Sequence, residues 1–282
     1  MEGLRFVEFF KVHGNGNDFV FVDDLGGRVS SLVAPSELAV KVCHRRKGIG
    51  ADGVLLLQDG DGEVQFRMRI FNSDGTEADM CGNGARCFAR MLDRLGLEDP
   101  KMRFLAGVGV VEAQVDGSLV SLKMGFCPFG DGAFFGVPES GEGVPDGVVM
   151  SYLHVGVPHA VLFARSWDIG EEELKVLGRR YRHDGRFPRG ANVTFLMPLG
   201  GVDGSGGFFA RTYERGVEDL TLSCGTGACA CAAALLRMGF GSPVRIESPG
   251  GFNVVEVEAE PHGARYVLTG PAEVSARGVF YL

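Results

Sequence analysis

Two cysteines, Cys81 and Cys224, stand at the start of two similar segments that could do acid/base chemistry. The segments read CGNGARCFARMLDRLG and CGTGACACAAALLRMG, and their last residues, Gly96 and Gly239, keep the 143-residue offset of the cysteines. Each segment predicts a helix of about three turns with one buried apolar stripe and a left-handed glycine cap. A thiol in front of a helix is a better base, because the helix dipole and unpaired backbone N–H groups stabilise its thiolate.

Two such thiols on opposite faces of one carbon form a two-base system. The thiolate removes a proton from one face and the opposing thiol delivers a proton to the other, which inverts the centre without a cofactor. The glycine-containing turns at 82–84 and 225–227 also offer backbone N–H groups to a substrate carboxylate. The alternative is that both cysteines are small core residues at tight turns. The repeat of the same turn and helix at one offset favours a function.

Three other positions are candidates for binding a substrate or for tuning a thiol. Asn17, in HGNGNDF, is either an Asx-turn residue or a hydrogen-bonding partner of a substrate amine or carboxylate. His159 aligns with it at an offset of 142, and is either structural or sets which sulfur is ionised. The adjacent Glu214 and Arg215 are either a solvated ion pair or a match for the amine and carboxylate of an amino acid.

The composition excludes several classes of partner. The 282 residues include 36 acidic and 28 basic side chains, and the formal charge of −8 offers no broad cationic surface for nucleic acid. No stretch predicts a membrane span, and the N-terminus lacks a secretory pattern. Seven cysteines, an odd number without a C-x-x-C pair, argue against a disulfide framework and against a zinc site. We therefore expect a cytoplasmic protein with free thiols, no metal and no membrane partner.

The rest of the chain predicts short strands bounded by glycine or proline. Examples are DFVFVD, GVLLL and VQFRMRIFN in the first half, and NVTFLMPL, VRIESPGG and NVVEVEAE in the second. Strand-rich halves with one apolar helix each predict an α+β fold of two pseudo-symmetric domains, each an antiparallel sheet wrapped around a central helix. The glycine- and proline-rich stretch at 127–147 is the predicted seam, which gives domains at 1–126 and 127–270.

The same segments resemble a known family over essentially the whole chain. In order, KVHGNGNDFVFVD, RRKGIGADGVLLL, FNSDGTEADMCGNGARCFAR, PHAV, NVTF, RTYERGVEDLTLSCGTGACA, SPGG and TGPA resemble the blocks of diaminopimelate epimerases. The combination of MCGNG with SCGTGACA distinguishes that family from proline-racemase-like proteins of the same fold. The resemblance implies interconversion of LL- and meso-diaminopimelate without pyridoxal phosphate, for lysine synthesis and, in bacteria, for peptidoglycan precursors.

The resemblance also implies roles for individual residues. The family's catalytic pair falls on Cys81 and Cys224, and the residues that tune the thiols fall on His159 and Glu214. The substrate-binding positions of the family fall on Asn17, Asn72, Gly82, Asn83, Asn192, Glu214, Arg215, Gly225 and Thr226. In the family no cofactor takes part, the C-terminal strand, here 271–282, returns to the first domain, and homodimers are usual.

Two positions depart from the family pattern. Family members usually carry asparagine before the Pro-His of the PHAV block, where this chain has Val157, so a contact to the distal end of the substrate is missing. Some members carry glutamine where this chain has Gly53. Two alternatives stay open: a racemase or epimerase of another amino acid, of glutamate or hydroxyproline type, and a binding protein with an inactive epimerase fold.

Overall fold

The computed structural model describes residues 5–128, 134–136, 144–201 and 204–282. The chain divides into two compact units, unit 1 from 1–122 with 270–282 and unit 2 from 123–269. Of the predicted seam at 127–147, residues 129–133 and 137–143 lie outside the described residues, whereas Phe134–Gly136 form a short strand.

The described residues of unit 1 form a mixed sheet and two α-helices. Its strands are β1 (Phe6–Gly14), β2 (Asn17–Asp23), β3 (Gly53–Asp59), β4 (Phe66–Asn72), β5 (Glu77–Ala78), β6 (Lys101–Ala106), β7 (Gly109–Asp116), β8 (Leu119–Pro128), which continues into unit 2, and β18 (Glu273–Tyr281). Its helices are α1 (Pro35–Cys43) and α2 (Gly82–Arg94).

Unit 2 repeats this order of elements. Its strands are β9 (Phe134–Gly136), β10 (Val149–Val155), β11 (Val157–Phe163), β12 (Asn192–Pro198), β13 (Phe208–Tyr213), β14 (Leu220–Thr221), β15 (Val244–Ser248), β16 (Gly251–Glu260) and β17 (Gly263–Pro271). Its helices are α3 (Glu171–Arg182) and α4 (Gly225–Arg237).

Strand pairing follows the same pattern in both units. In unit 1, β2 is parallel to β3 and β4 to β6, whereas β1–β2, β3–β4 and β6–β7 are antiparallel. In unit 2, β11 is parallel to β12 and β13 to β15, and β10–β11, β12–β13 and β15–β16 are antiparallel. Strand β18 pairs with β1. The predicted duplicated α+β fold is confirmed, and its sheets are mixed because helical crossovers join the parallel strands.

Of the four α-helices in the described part of the chain, two, α1 and α3, are absent from the sequence prediction. Helix α1 has only nine residues, so its apolar pattern covers little more than two turns. Helix α3 contains Gly178, a poor helix former, where a Cβ atom would lie 2.6 Å from the side chain of Tyr213. The glycine therefore allows α3 to pack closely on β13. Three glutamates in the first turn of α3 and three arginines in its last turn complement the helix dipole.

The core encloses both α2 and α4 on all sides over most of their length. In α4, every residue from 228 to 235 is buried, because alanine and cysteine side chains are small enough for neighbours to surround the helix. The predicted single buried stripe is therefore wrong for α4. It is wrong for α2 as well, because every residue from 83 to 89 is buried, and in both helices the arginine of the last turn, Arg94 or Arg237, is exposed. The glycine caps are confirmed, since Gly96 and Gly239 have φ angles of 66° and 93°. Among the described residues, no helix has the length and apolar character needed to cross a membrane.

Candidate active site

Cys81 is the N-cap residue of α2. Its backbone is extended, and its sulfur accepts a hydrogen bond from the backbone N–H of Gly84 at 3.5 Å. The first turn of a helix leaves backbone N–H groups without intrahelical partners, so the predicted anion-binding residues Gly82 and Asn83 occupy positions suited to a carboxylate. Position 84 requires a small residue, because an added Cβ atom would lie 3.2 Å from Leu55.

Asn17 lies directly beside Cys81. The Cys81 thiol donates to Asn17 Oδ1 at 3.4 Å, and Asn83 Nδ2 donates to the same oxygen at 3.5 Å. Asn17 Nδ2 in turn donates to Asp52 Oδ2 at 2.8 Å. The structure thus brings together three predicted site residues of unit 1 and adds a fourth side chain, Asp52, for which the sequence analysis gave no role.

Asp52 belongs to a charged group at the start of β2 and β3. Arg45 Nη2 lies 2.7 Å from Asp52 Oδ1 and 3.2 Å from Asp18 Oδ1, and Lys11 Nζ lies 2.6 Å from Asp18 Oδ2. Burial raises the pKa of Asp18, but hydrogen bonds and charge from Lys11 and Arg45 outweigh it and hold the pKa below its usual value. The Asp18 carboxylate therefore stays ionised near neutral pH.

Asn72 occupies a different environment in unit 1. It ends β4, is exposed, and its Nδ2 donates to Thr76 Oγ1 at 2.9 Å within the β4–β5 turn. Among the described residues, no hydrogen bond of the Asn72 side chain reaches the group around Cys81. The structure therefore leaves this predicted substrate-binding residue separate from the other three.

Cys224 repeats the position of Cys81 at the N-cap of α4. Its sulfur accepts a hydrogen bond from the backbone N–H of Gly227 at 3.3 Å and lies 3.6 Å from Thr226 Oγ1. A Cβ atom at 227 would lie 3.2 Å from this sulfur and from Thr212 Oγ1. The glycine therefore permits the close approach of sulfur and helix. The predicted carboxylate-binding residues Gly225 and Thr226 form the first turn.

Glu214 is the charged neighbour of Cys224. Burial raises the pKa of the Glu214 carboxyl, although hydrogen bonds from Cys224 and from Thr221 Oγ1, at 2.6 Å, act against it. Burial also raises the pKa of Cys224 well above its usual value, and the negative charge of Glu214 adds to this effect. Hydrogen bonds from Thr226 and Gly227 do not outweigh these two causes. The helix terminus was expected to lower the pKa of Cys224, but burial and Glu214 raise it instead.

The remaining predicted residues of unit 2 form a connected group. His159 in β11 pairs in register with Asn192 in β12, whose Oδ1 accepts from the backbone N–H of Arg215 at 2.7 Å. Burial lowers the pKa of His159 to about 3, and the charges of His154 and Arg215 act in the same direction. Neither ring nitrogen of His159 has a hydrogen-bond partner among the described residues. His159 is therefore a neutral imidazole.

Two side chains near the cysteines were missed by the sequence analysis. Asp52 lies in the block RRKGIGADGVLLL, and Thr221 lies three residues before Cys224. An acidic residue at the start of a strand carries a weak signal, because its contact with Asn17 depends on the parallel pairing of β2 with β3. Thr221 carries no signal in the sequence, because its contact with Glu214 depends on the pairing of β13 with β14.

The chain is similar to curated proteins over most of its length. The family model for diaminopimelate epimerase matches residues 9–128 and 151–275. The diaminopimelate epimerase of Methanothrix thermoacetophila is 38% identical over 286 residues, covering 97% of this chain and 95% of that protein. The diaminopimelate epimerase of Archaeoglobus fulgidus is 38% identical over 278 residues, covering 95% and 94%.

Solved structures share the fold at lower sequence identity. A hydroxyproline epimerase from Agrobacterium vitis has a TM-score of 0.68 and 18% identity, covering 100% of this chain and 94% of that one. A phenazine biosynthesis protein of the PhzF family from Bacillus anthracis has a TM-score of 0.70 and 13% identity, covering 99% and 100%. At such identities the likeness concerns the fold alone. The sequence relatives and the family model are decisive, and the chain belongs to the diaminopimelate epimerase family.

Proposed function

We propose that the protein interconverts LL- and meso-diaminopimelate, with Cys81 and Cys224 as an acid/base pair on opposite faces of the substrate α-carbon. The observation that carries the proposal is the repeated N-cap thiol. Each sulfur accepts a backbone N–H from the third residue beyond it, at 3.5 Å for Cys81 and 3.3 Å for Cys224. Helices of equal length follow, and each presents first-turn N–H groups of the kind that bind a carboxylate.

The proton balance of this scheme needs only the two thiols. In one direction Cys81, as thiolate, takes the α-proton, and the electron pair of the broken C–H bond stays on the α-carbon. The adjacent carboxylate accepts part of that charge, and helix N-termini stabilise it. Cys224 then delivers its proton to the opposite face. The raised pKa of Cys224 supports its role as the acid in this direction, and the roles exchange in reverse.

The charged substrate-binding residues would each bind a substrate group of opposite charge. Arg215 is a cation with its backbone N–H held by Asn192, and it suits the distal carboxylate of the substrate. Glu214 suits an ammonium group, and binding one would reduce the effect of its negative charge on Cys224. Asn17, Asn72 and the first-turn residues Gly82, Asn83, Gly225 and Thr226 complete the proposed set. His159, neutral and buried, would set the environment of the thiols by packing.

The setting of the reaction follows from the family. We infer a role in the synthesis of lysine and of peptidoglycan precursors, in the cytoplasm, where the seven free thiols are expected to stay reduced. We also infer a homodimer, with each compact unit acting as one domain of the enzyme. The outer face of β1 and β18 supports the dimer, because Phe6, Val279 and Tyr281 are about half exposed there. A monomeric mass by light scattering would contradict it.

The test is a chiral assay of LL-diaminopimelate conversion with three cysteine variants. Cys81→Ser and Cys224→Ser should each lower kcat/KM at least roughly a hundredfold, because each direction needs both groups. Cys127→Ser is the matched control, since this half-buried cysteine caps no helix. Full turnover by either active-site variant would refute the assignment. Faster turnover of glutamate or hydroxyproline than of diaminopimelate would refute the substrate.

A further inference from the structure

A chain of four polar side chains crosses the Cys81 end of unit 1, and its hydrogen bonds all run in one direction. Arg86 Nη2 donates to Asn83 Oδ1 at 2.7 Å, and Asn83 Nδ2 donates to Asn17 Oδ1 at 3.5 Å. Asn17 Nδ2 donates to Asp52 Oδ2 at 2.8 Å. The Cys81 thiol meets this chain at Asn17 Oδ1.

The two ends of the chain fix the orientation of both amides. A guanidinium can only donate hydrogen bonds and an ionised carboxylate can only accept them. Arg86 therefore selects the oxygen of Asn83, and Asp52 selects the nitrogen of Asn17. Either amide turned by 180° would place two donors or two acceptors against each other. The arrangement leaves one oxygen, Asn17 Oδ1, for the sulfur.

We propose that Asp52 is a positioning residue that holds the side-chain amide of Asn17 with its oxygen toward the Cys81 sulfur. Asp52 is itself held by Arg45 at 2.7 Å, and its Oδ2 also accepts the backbone N–H of Asp18 at 3.1 Å. These contacts leave the carboxylate little freedom to turn. Asp52 touches neither sulfur nor substrate in this proposal, and it acts through Asn17 alone.

The consequence concerns the protonation of Cys81. An acceptor oxygen stabilises the thiol, whereas the amide nitrogen in the same place would stabilise the thiolate. Cys224 has its own acceptor in Glu214. A reversible two-base reaction needs two protonation forms of the thiol pair to be populated. In one form Cys81 is the thiolate and Cys224 the thiol, and in the other the roles are exchanged. An acceptor at each sulfur brings the two forms closer in free energy than an acceptor at Cys224 alone would.

The test measures the pH dependence of Cys81 alkylation by iodoacetamide, read by mass spectrometry on the tryptic peptide 70–86, in which Cys81 is the only cysteine. Asp52→Asn lets the Asn17 amide turn, so we expect the midpoint of the profile to fall by about one pH unit. Below the midpoint, alkylation should be about tenfold faster than in the wild type. The inference rests on the proposed function for the role of Cys81. Alkylation is measured without epimerisation, so a failure of this inference can be told apart from a failure of the proposed function.

Two further variants separate amide orientation from simple loss of charge. Asp18→Asn removes an equal charge from the neighbouring carboxylate, which has no bond to the Asn17 amide, and should shift the midpoint much less. In an Asn17→Ala background, Asp52→Asn should have no further effect, because the group it positions is absent. Circular dichroism verifies the fold of each variant. Equal shifts in Asp52→Asn and Asp18→Asn, or the same Asp52→Asn shift without Asn17, would overturn the proposal.

Discussion

Glu214→Gln should lower the pKa of the Cys224 thiol while leaving the fold in place. Glutamine has the same shape and keeps an oxygen for Thr221, which donates at 2.6 Å, but it removes the negative charge that raises the thiol pKa. A unit charge about 4 Å away contributes roughly 4 kcal/mol at an effective dielectric constant of about 20, an upper bound of about three pH units. Because solvent screens this partly exposed pair, we expect a fall of about one to two pH units.

The assay follows alkylation of Cys224 against pH on the tryptic peptide 216–237. Cys229 and Cys231 on the same peptide are fully buried and report any unfolding. Glu218→Gln is the matched control, because Glu218 is an exposed carboxylate paired with Arg182 at 3.1 Å. An unchanged profile in Glu214→Gln, or an equal shift in Glu218→Gln, would show that the Glu214 charge does not set the protonation of Cys224.

The same variant should be more stable than the wild type at neutral pH. The folded state raises the pKa of Glu214, so it binds this proton more tightly than the unfolded state does. The associated stability is present at low pH and is lost as pH rises through the raised pKa. Glutamine does not ionise and so does not destabilise the folded state at neutral pH. The Tm of the variant should therefore exceed that of the wild type at pH 7, and this difference in Tm should shrink on acidification. A constant difference from pH 4 to 8 would contradict this.

Four other substitutions test separate parts of the proposed mechanism and fold. Val157→Asn should restore a contact worth roughly 1.5–3 kcal/mol and lower KM for diaminopimelate about tenfold to a hundredfold at constant kcat, and unchanged kinetics would remove position 157 from the site. His159→Leu should reduce the loss of stability on acidification. A histidine with a folded pKa of about 3 lowers the free energy of unfolding by up to roughly 1.4 kcal/mol for each pH unit below 6.5. Identical curves of Tm against pH for variant and wild type would contradict this. Gly227→Ala should lower kcat in a folded protein, because the methyl group would lie 3.2 Å from the Cys224 sulfur. Gly239→Ala, strained at a φ of 93° and remote from the sulfur, should lower Tm by several degrees with kcat unchanged; the reverse pattern would refute both assignments.

The features that the sequence predicted are those encoded locally. The two N-cap cysteines, the helices that follow them and the glycines that end these helices all lie within 16 consecutive residues of each repeat, from 81 to 96 and from 224 to 239. Helix propensity, apolar spacing and a left-handed glycine act over such distances. The constant offset then identified the duplication, which the matching order of strands and helices in the two units confirms.

The features that could not be predicted from the sequence depend on contacts between distant segments. Helix α3 needs Gly178 only because Tyr213 packs against it, 35 residues later. The parallel pairs β2–β3 and β11–β12 arise from crossovers that apolar alternation does not specify. The pKa of Cys224 departs from the expectation for a helix terminus because burial and Glu214 outweigh the hydrogen bonds from Thr226 and Gly227. Such balances are set by tertiary packing.

The most direct test of the proposed chemistry is a single-turnover conversion of LL-diaminopimelate in deuterated water. If Cys81 and Cys224 act from opposite faces, the proton removed and the proton delivered belong to different thiols. The meso product formed at low conversion should then carry deuterium at its inverted α-carbon, while recovered substrate keeps protium there. Product that retains the substrate's own proton would show that a single group removes and returns it, and would contradict the two-thiol account.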